Sequence, residues 1–186
     1  LSSVGRVAAQ LRKALGDKTP GSEQLAAAET YSAASLEAAH TYAEAQNLRF
    51  AGRGEEAIKA YLRAIEQDPN FGSAHAALAA LYANLGQRET ATRHYKLAMA
   101  QVNRMTERER YRTRGGYYLA VMEPEKAIEE FTALTRQYPA DTMGVSSLAF
   151  AHYLRRDMVK ALEEGRRAVE IYPKNVPYRN NLALYA

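Results

Sequence analysis

The chain is 186 residues long, carries 25 Lys and Arg against 21 Asp and Glu for a net charge of +4, and has no cysteine. That length can bury a sizeable core. A charge so mild gives no argument for nucleic acid or a membrane surface as partner. The missing thiols exclude a disulfide framework and a thiolate metal site. No apolar run approaches the roughly 20 residues needed to cross a bilayer, so no direct membrane insertion is expected. The sequence opens at Leu1 without a signal-like segment and stops at Ala186 in mid-pattern, which reads as a piece of a longer protein.

In chain order, Val4, Val7, Ala8, Leu11 and Leu15 recur at helical spacing, with Arg6, Gln10, Arg12 and Lys13 on the other face. They predict an amphipathic helix closed by Gly16. Its apolar face lacks Trp and Phe, so packing on protein is expected rather than on a membrane. Residues 17–37 read as a linker that begins with the breaker-rich GDKTPGSEQ, Ala26 to Ala28 offering at most a short helical turn. From about Ala38 onward Ala and Leu dominate, Gly falls between helical stretches and Pro after them. Gly52 and Gly86 sit at turns, Pro69, Pro139 and Pro173 at the ends of stretches, and Pro124 at the start of one. Thr106 with Glu109 has the spacing of a capping box. No segment alternates as a strand would, so the fold class is all-α.

One phrase returns along this region: EEAIKAYLRAIEQDP, ETATRHYKLAMAQVN, EKAIEEFTALTRQYP and VKALEEGRRAVEIYP. Its reference alanines Ala57, Ala91, Ala127 and Ala161 are 34, 36 and 34 residues apart, and Tyr61, Tyr95 and Phe131 follow the first three by four residues. A fixed period of that length predicts a stacked solenoid with one small insertion.

The pattern resembles the tetratricopeptide repeat, a helix-turn-helix of 34 residues. The second unit matches best, through Leu78, Ala79, Tyr82, Gly86, Ala91, Tyr95 and Ala98. Unit one keeps Ala45, Leu48, Gly52, Ala57, Tyr61, Ala64 and Pro69; unit three keeps Gly115, Tyr118, Ala127, Phe131 and Pro139. Unit four keeps Leu148, Ala149, Ala161, Ala168 and Pro173 but carries Arg156 at the turn and Gly165 in the aromatic place. The resemblance implies four units at about 38–71, 72–107, 108–141 and 142–175, then the first helix of a fifth, wound as a right-handed superhelix. Small residues would let paired helices approach, and aromatics such as Tyr82 and Tyr95 would fill the space between neighbouring pairs. A second resemblance lies in VGRVAAQLRKALGD, SLEAAHTYAEAQ and TERERYR. These phrases are similar to large bacterial signalling proteins in which a eukaryote-like serine/threonine kinase, or another module, precedes tetratricopeptide repeats. Residues 1–16 would then be the tail of the preceding module, and the chain either an extracytoplasmic part of a membrane-anchored protein or a cytoplasmic one.

By the same resemblance the first helix of each pair lines a concave groove. Unit one would contribute Tyr42, Gln46, Arg49 and Phe50. Unit two would contribute Ala76, Ala77, Ala80, Ala83 and Asn84, and unit three Arg112, Thr113, Gly116 and Leu119. Unit four would add Ser146, Ser147, Phe150 and Tyr153, and the fifth helix Asn180 and Asn181. Such a lining suits an apolar or mixed peptide. Relatives that clamp a terminal carboxylate use Lys, Asn and Arg where this chain has Tyr42, Gln46, Ala77, Glu109 and Thr113, so that mode is not expected.

Arg104, Arg108, Arg110, Arg112 and Arg114 form a basic cluster with Glu107 and Glu109 interleaved. The cluster reads either as a solvated helix face laced with i,i+3 and i,i+4 pairs or as a contact for phosphate or nucleic acid. Only Arg108 and Arg112 should approach the groove. His40, His75, His94 and His152 show no i,i+3 or i,i+4 spacing, so no metal or other cofactor is expected. Tyr61, Tyr82, Tyr95 and Tyr118 read as packing residues. Neither a nucleophile elbow nor any kinase phrase is present, and the chain reads as non-catalytic. The function expected is a protein-interaction module for a peptide or partner domain, with self-association as a homodimer, or phosphate contact through the arginines, as alternatives.

Overall fold

The computed structural model describes residues 32–186 apart from Lys174. The helix expected at residues 4–15 and most of the linker after it lie outside the described residues. Among the described residues there are nine α-helices and no strand. They are α1 (Leu36–Phe50), α2 (Gly54–Gln67), α3 (Gly72–Asn84), α4 (Arg88–Ala100), α5 (Glu107–Ala120), α6 (Pro124–Gln137), α7 (Thr142–Leu154), α8 (Met158–Ile171) and α9 (Val176–Tyr185).

Local chemistry sets several of the boundaries. Ser35 caps α1 by accepting from the Ala38 N–H at 3.0 Å. Asp141 caps α7, Asp157 caps α8 and Asn175 caps α9, each through its side-chain oxygen. The capping box forms at α5: Thr106 Oγ1 accepts from the Glu109 N–H, and Glu109 Oε2 accepts from the Thr106 N–H at 2.8 Å. Pro124 opens α6, where its missing N–H leaves no helical bond unmade.

Four helix pairs, α1–α2, α3–α4, α5–α6 and α7–α8, pack most extensively, and each second helix also rests on the first helix of the next pair. First helices touch in succession from α3 to α5, α7 and α9. The described residues therefore form an all-α helical-repeat solenoid. The four reference alanines are at most 1% exposed, which is why their interval is so regular: a larger residue at these points would hold the paired helices apart. Two glycines serve the same end. A Cβ on Gly115 would stand 2.6 Å from the Phe131 ring of its own pair, and one on Gly116 within 2.5 Å of Tyr95 of the pair before. Tyr95 thus fills the space between pairs, as expected. Tyr82, partly buried, packs against the buried cluster shared by units one and two and also stacks on His94 of its own unit.

Unit four inverts the arrangement. Gly165 stands where units one to three have Tyr61, Tyr95 and Phe131, and the ring comes instead from α9, with Tyr185 only 3% exposed. A Cβ on Gly165 would lie 3.0 Å from Tyr185 Cδ2 and 3.2 Å from Leu182 Cδ1. The absent aromatic is therefore not a packing defect; the following helix supplies it.

The insertion is also located. Between Ala100 and Glu107 the chain makes a 3₁₀ turn at Val102–Arg104, two residues more than the four that part Gln67 from Gly72, or Gln137 from Thr142. The turns inside pairs keep one conformation. Gly52 and Gly86 have φ of 76° and 75°, while Met122 and Arg156 occupy the same places at 60° and 63°. A left-handed residue with a Cβ costs about 1–2 kcal/mol, partly offset by the entropy that glycine loses on folding. Met122→Gly and Arg156→Gly are each expected to raise stability by about 0.5–1 kcal/mol; thermal unfolding of the two variants checks this.

Candidate functional site

The surface that can meet a partner is set by which first-helix side chains reach solvent. Phe50 is 62% exposed and Phe150 36%. Asn84 and Asn180 are exposed as well, and Arg49, Ala76, Ala80, Leu119, Ser146 and Tyr153 are half-buried. Phe150 and Tyr153 stack with centroids 6.1 Å apart, making a small aromatic platform on α7.

Five of the groove candidates, Tyr42, Gln46, Ala77, Thr113 and Gly116, lie in the core. Tyr42 is 4% exposed and packs between Tyr61, at 5.6 Å, and Phe71, at 4.9 Å. Gln46 donates its Nε2–H to the Tyr42 hydroxyl, and Thr113, 1% exposed, donates to Met105 Sδ at 3.3 Å. Tyr42 packs on the neighbouring helices, Gln46 bonds within α1, and Thr113 holds the turn before its own helix. Tyr42 is the ring that closes unit one against α3, so a rule that reads every first helix alike misplaces it.

Two arginines of the cluster, Arg108 and Arg112, are engaged with a buried acidic side chain. Arg108 Nε donates to Asp141 Oδ2 at 2.8 Å, and Arg112 meets the same oxygen through its Nε at 2.9 Å and a terminal nitrogen at 2.7 Å. Both guanidinium side chains are 17% exposed and the carboxylate is fully buried. Burial alone would push the Asp141 carboxyl up. Arg112 and Arg108, with hydrogen bonds from Arg108 and the Gly144 N–H, outweigh that and hold it below the usual carboxylate range. Arg112, a groove candidate, therefore serves to tie unit three to unit four.

One residue before Arg110 the helix faces the other way. Glu109 is 6% exposed and accepts from five donors: Ser32 N–H and Oγ, Ser73 Oγ, and Thr106 N–H and Oγ1, at 2.6–3.2 Å. The carboxylate thus gathers groups from the segment before α1, from the first turn of α3 and from the start of α5. Nearby, Asp68 at the end of α2 accepts from the Ala34 N–H at 2.7 Å. Sequence spacing gave no sign of either contact except at Thr106.

His75 and His94 meet across α3 and α4, Nδ1 to Nδ1 at 3.1 Å, although 19 residues part them in sequence. The Pro69 carbonyl can only accept, so His75 carries its proton on Nε2 and leaves Nδ1 to receive the proton of His94. Burial lowers both, with the Pro69 bond and Asp68 opposing it at His75, and His94 falls to about 4 with His75 and Arg93 adding to the effect. Burial lowers His152 too. Their folded values lie below the unfolded one, so this stability is complete above pH 6.5 and is lost as pH falls toward 4. A His75→Gln, His94→Gln double variant is expected to show a shallower fall of melting temperature between pH 7 and pH 4.5 than the parent, read by circular dichroism. Among the described residues no three His, Asp or Glu side chains converge as a metal-binding group, and no helix is long and apolar enough to cross a membrane.

The tetratricopeptide-repeat family model matches residues 47–86. The TPR repeat-containing thioredoxin TTL4 of Arabidopsis thaliana is 49% identical over 47 residues, a stretch that covers 25% of this chain and 7% of the plant protein. The chain thus spans a small fraction of that relative's length. Among solved structures, Pseudomonas aeruginosa pilF superposes with a TM-score of 0.51 at 19% identity, covering 80% of this chain and 67% of that one. The APC/C hetero-tetramer Cut9-Hcn1 gives a TM-score of 0.53 at 19% identity, over 80% and 29% of the two chains. These structural likenesses establish the solenoid fold, and with the sequence matches they support the tetratricopeptide-repeat family.

Proposed function

We propose that this chain is a non-catalytic interaction module that holds a peptide or partner domain along the surface formed by its successive first helices. Stacked repeats build extended binding surfaces by construction. The observation that carries the reading is the row of solvent-reaching side chains on those helices, from Phe50 through Asn84 to Phe150 and Tyr153, anchored at both ends by aromatics of the kind that dominate binding energy. The lining is short of free charge, because Arg112 is engaged with Asp141; an apolar or mixed ligand fits it better than phosphate or nucleic acid. The front-end phrases of the sequence support placing the module in a larger bacterial signalling protein.

Peptides selected from a displayed random library against the full chain test this. Asn84→Ala with Phe150→Ala is expected to weaken the selected peptides by at least about tenfold, the scale of one lost anchor. Selected peptides indifferent to both changes would remove the reading. Self-association has a separate basis in α9, where Val176 is 60% and Leu184 55% exposed. Light scattering that shows a strict monomer at all concentrations excludes it.

A further inference from the structure

The non-helical segment before α1 holds on to the rest of the molecule in the manner of a bound peptide. Ser32 gives both its N–H, at 3.2 Å, and its hydroxyl, at 2.9 Å, to the Glu109 carboxylate 77 residues away. Two residues on, the Ala34 N–H goes to Asp68 at 2.7 Å, and between them Ala33 packs against the buried cluster of units one and two. The acceptors are side chains from other units, so no helix or sheet ladder accounts for these backbone bonds.

The seat does not depend on its occupant. Thr106, through its N–H and hydroxyl, and Ser73, through its hydroxyl at 2.6 Å, fix the Glu109 carboxylate from within the solenoid. Asp68 is likewise steadied by the Asn70 N–H at 3.1 Å. Removing Ser32 would leave two oriented acceptors with nothing else to rearrange, which is what a preorganised recognition site requires. Ser73 stands one turn before the half-buried groove candidate Ala76 on α3, so the seat adjoins the partner surface there.

We propose that Glu109, Ser73 and Asp68 form a peptide-binding seat, and that Ser32–Ala34 is its internal occupant. The inference deepens the reading above by naming a part of that surface and what it recognises. The seat selects a hydroxyl residue, then a small apolar residue, then a residue with a free backbone N–H, which excludes proline at the third place. A partner segment of that pattern competes with Ser32–Ala34, and the internal segment has the advantage of an effective concentration on the order of millimolar. The charge-assisted bonds to two carboxylates supply the affinity.

Two measurements on the full chain decide the matter without any peptide selected from a library, so their outcome is independent of the displayed-peptide experiment. The first is amide hydrogen exchange in the parent protein. Ser32 and Ala34 are expected to exchange at least about tenfold more slowly than in a free peptide, and free-peptide rates at both would overturn the proposal. The second is an NMR titration with acetyl-Ser-Ala-Ala-Ser-amide, the segment's own sequence. Ser32→Pro removes both donors to Glu109 and touches no helix. This variant is expected to show saturable shifts at the Ser73 and Glu109 amides, with the parent at least about tenfold weaker. A variant that gives no saturable shift, or a parent that binds equally well, refutes the internal-occupant reading. Shifts at α9 instead of at Ser73 and Glu109 would refute it as well.

Discussion

Asp141→Ala is expected to lower the unfolding free energy by about 3–5 kcal/mol, the range for breaking a buried ion pair from one side. The carboxylate is fully buried, and its removal takes away the acceptor that Arg108 and Arg112, each 17% exposed, share. The same change uncaps α7, because Asp141 Oδ1 accepts from the Gly144 N–H at 2.8 Å. Asp141→Asn should cost less, since it keeps an oxygen for the cap. A triple variant with Leu at 141 and Met at 108 and 112 should recover much of the loss, since apolar groups of similar volume replace such clusters well. Chemical denaturation of the set checks the order, and a loss below about 1 kcal/mol for Asp141→Ala would mean that the cluster is held by solvent rather than by the fold. The pH dependence has a definite sign. The folded carboxyl lies below its unfolded value, so its contribution is complete above the ordinary Asp range and is lost as pH falls from that range through the lower folded value. The histidine effect, which begins near pH 6.5, precedes it on acidification.

Phe131→Ala is expected to cost about 3–5 kcal/mol through the cavity it leaves. The ring is 2% exposed and fills the centre of the core of units three and four. It also presses on Gly115, so Gly115→Ala alone should cost about 1–3 kcal/mol by overpacking. Made together the two changes should cost clearly less than their sum, because the Cβ that clashes with the ring in the parent enters the cavity in the double variant. A double-mutant cycle from urea unfolding reads the coupling. Strict additivity would show that the helix faces are not in the register described. Gly116→Ala offers the same contact with Tyr95 at the junction of units two and three.

What the sequence made legible was what recurs or what is local. Ala57, Ala91, Ala127 and Ala161 announce the solenoid because one steric demand repeats at each. The capping box of Thr106 and Glu109 was readable because its partners are three residues apart. Asp141 was not readable as the partner of Arg108 and Arg112: the contact joins successive units, and repeat spacing says nothing of how polar residues pair across them. His75 and His94 escaped for the same reason, since a search for spacing along one helix cannot see two helices side by side. Tyr42 shows a subtler limit. Its helical position faces the groove by rule, yet a large ring beside Phe71 and Tyr61 gains more from burial than from exposure. Gly165 read as an absence, and Tyr185 supplied the ring from outside the unit.

Stacked repeats unfold, to a first approximation, as a linear chain of units in which each feels only its neighbours. The start of α5 departs from that rule. Glu109 reaches back past unit two to Ser32, while Arg108 and Arg112, within four residues of it, reach forward to Asp141. Loss of α5 would therefore be felt at both ends of the stack at once, and end units cannot fray one by one as independently as in a simple array. The same turn sets the contact with Ser32 and the contact with Asp141 within four residues of each other.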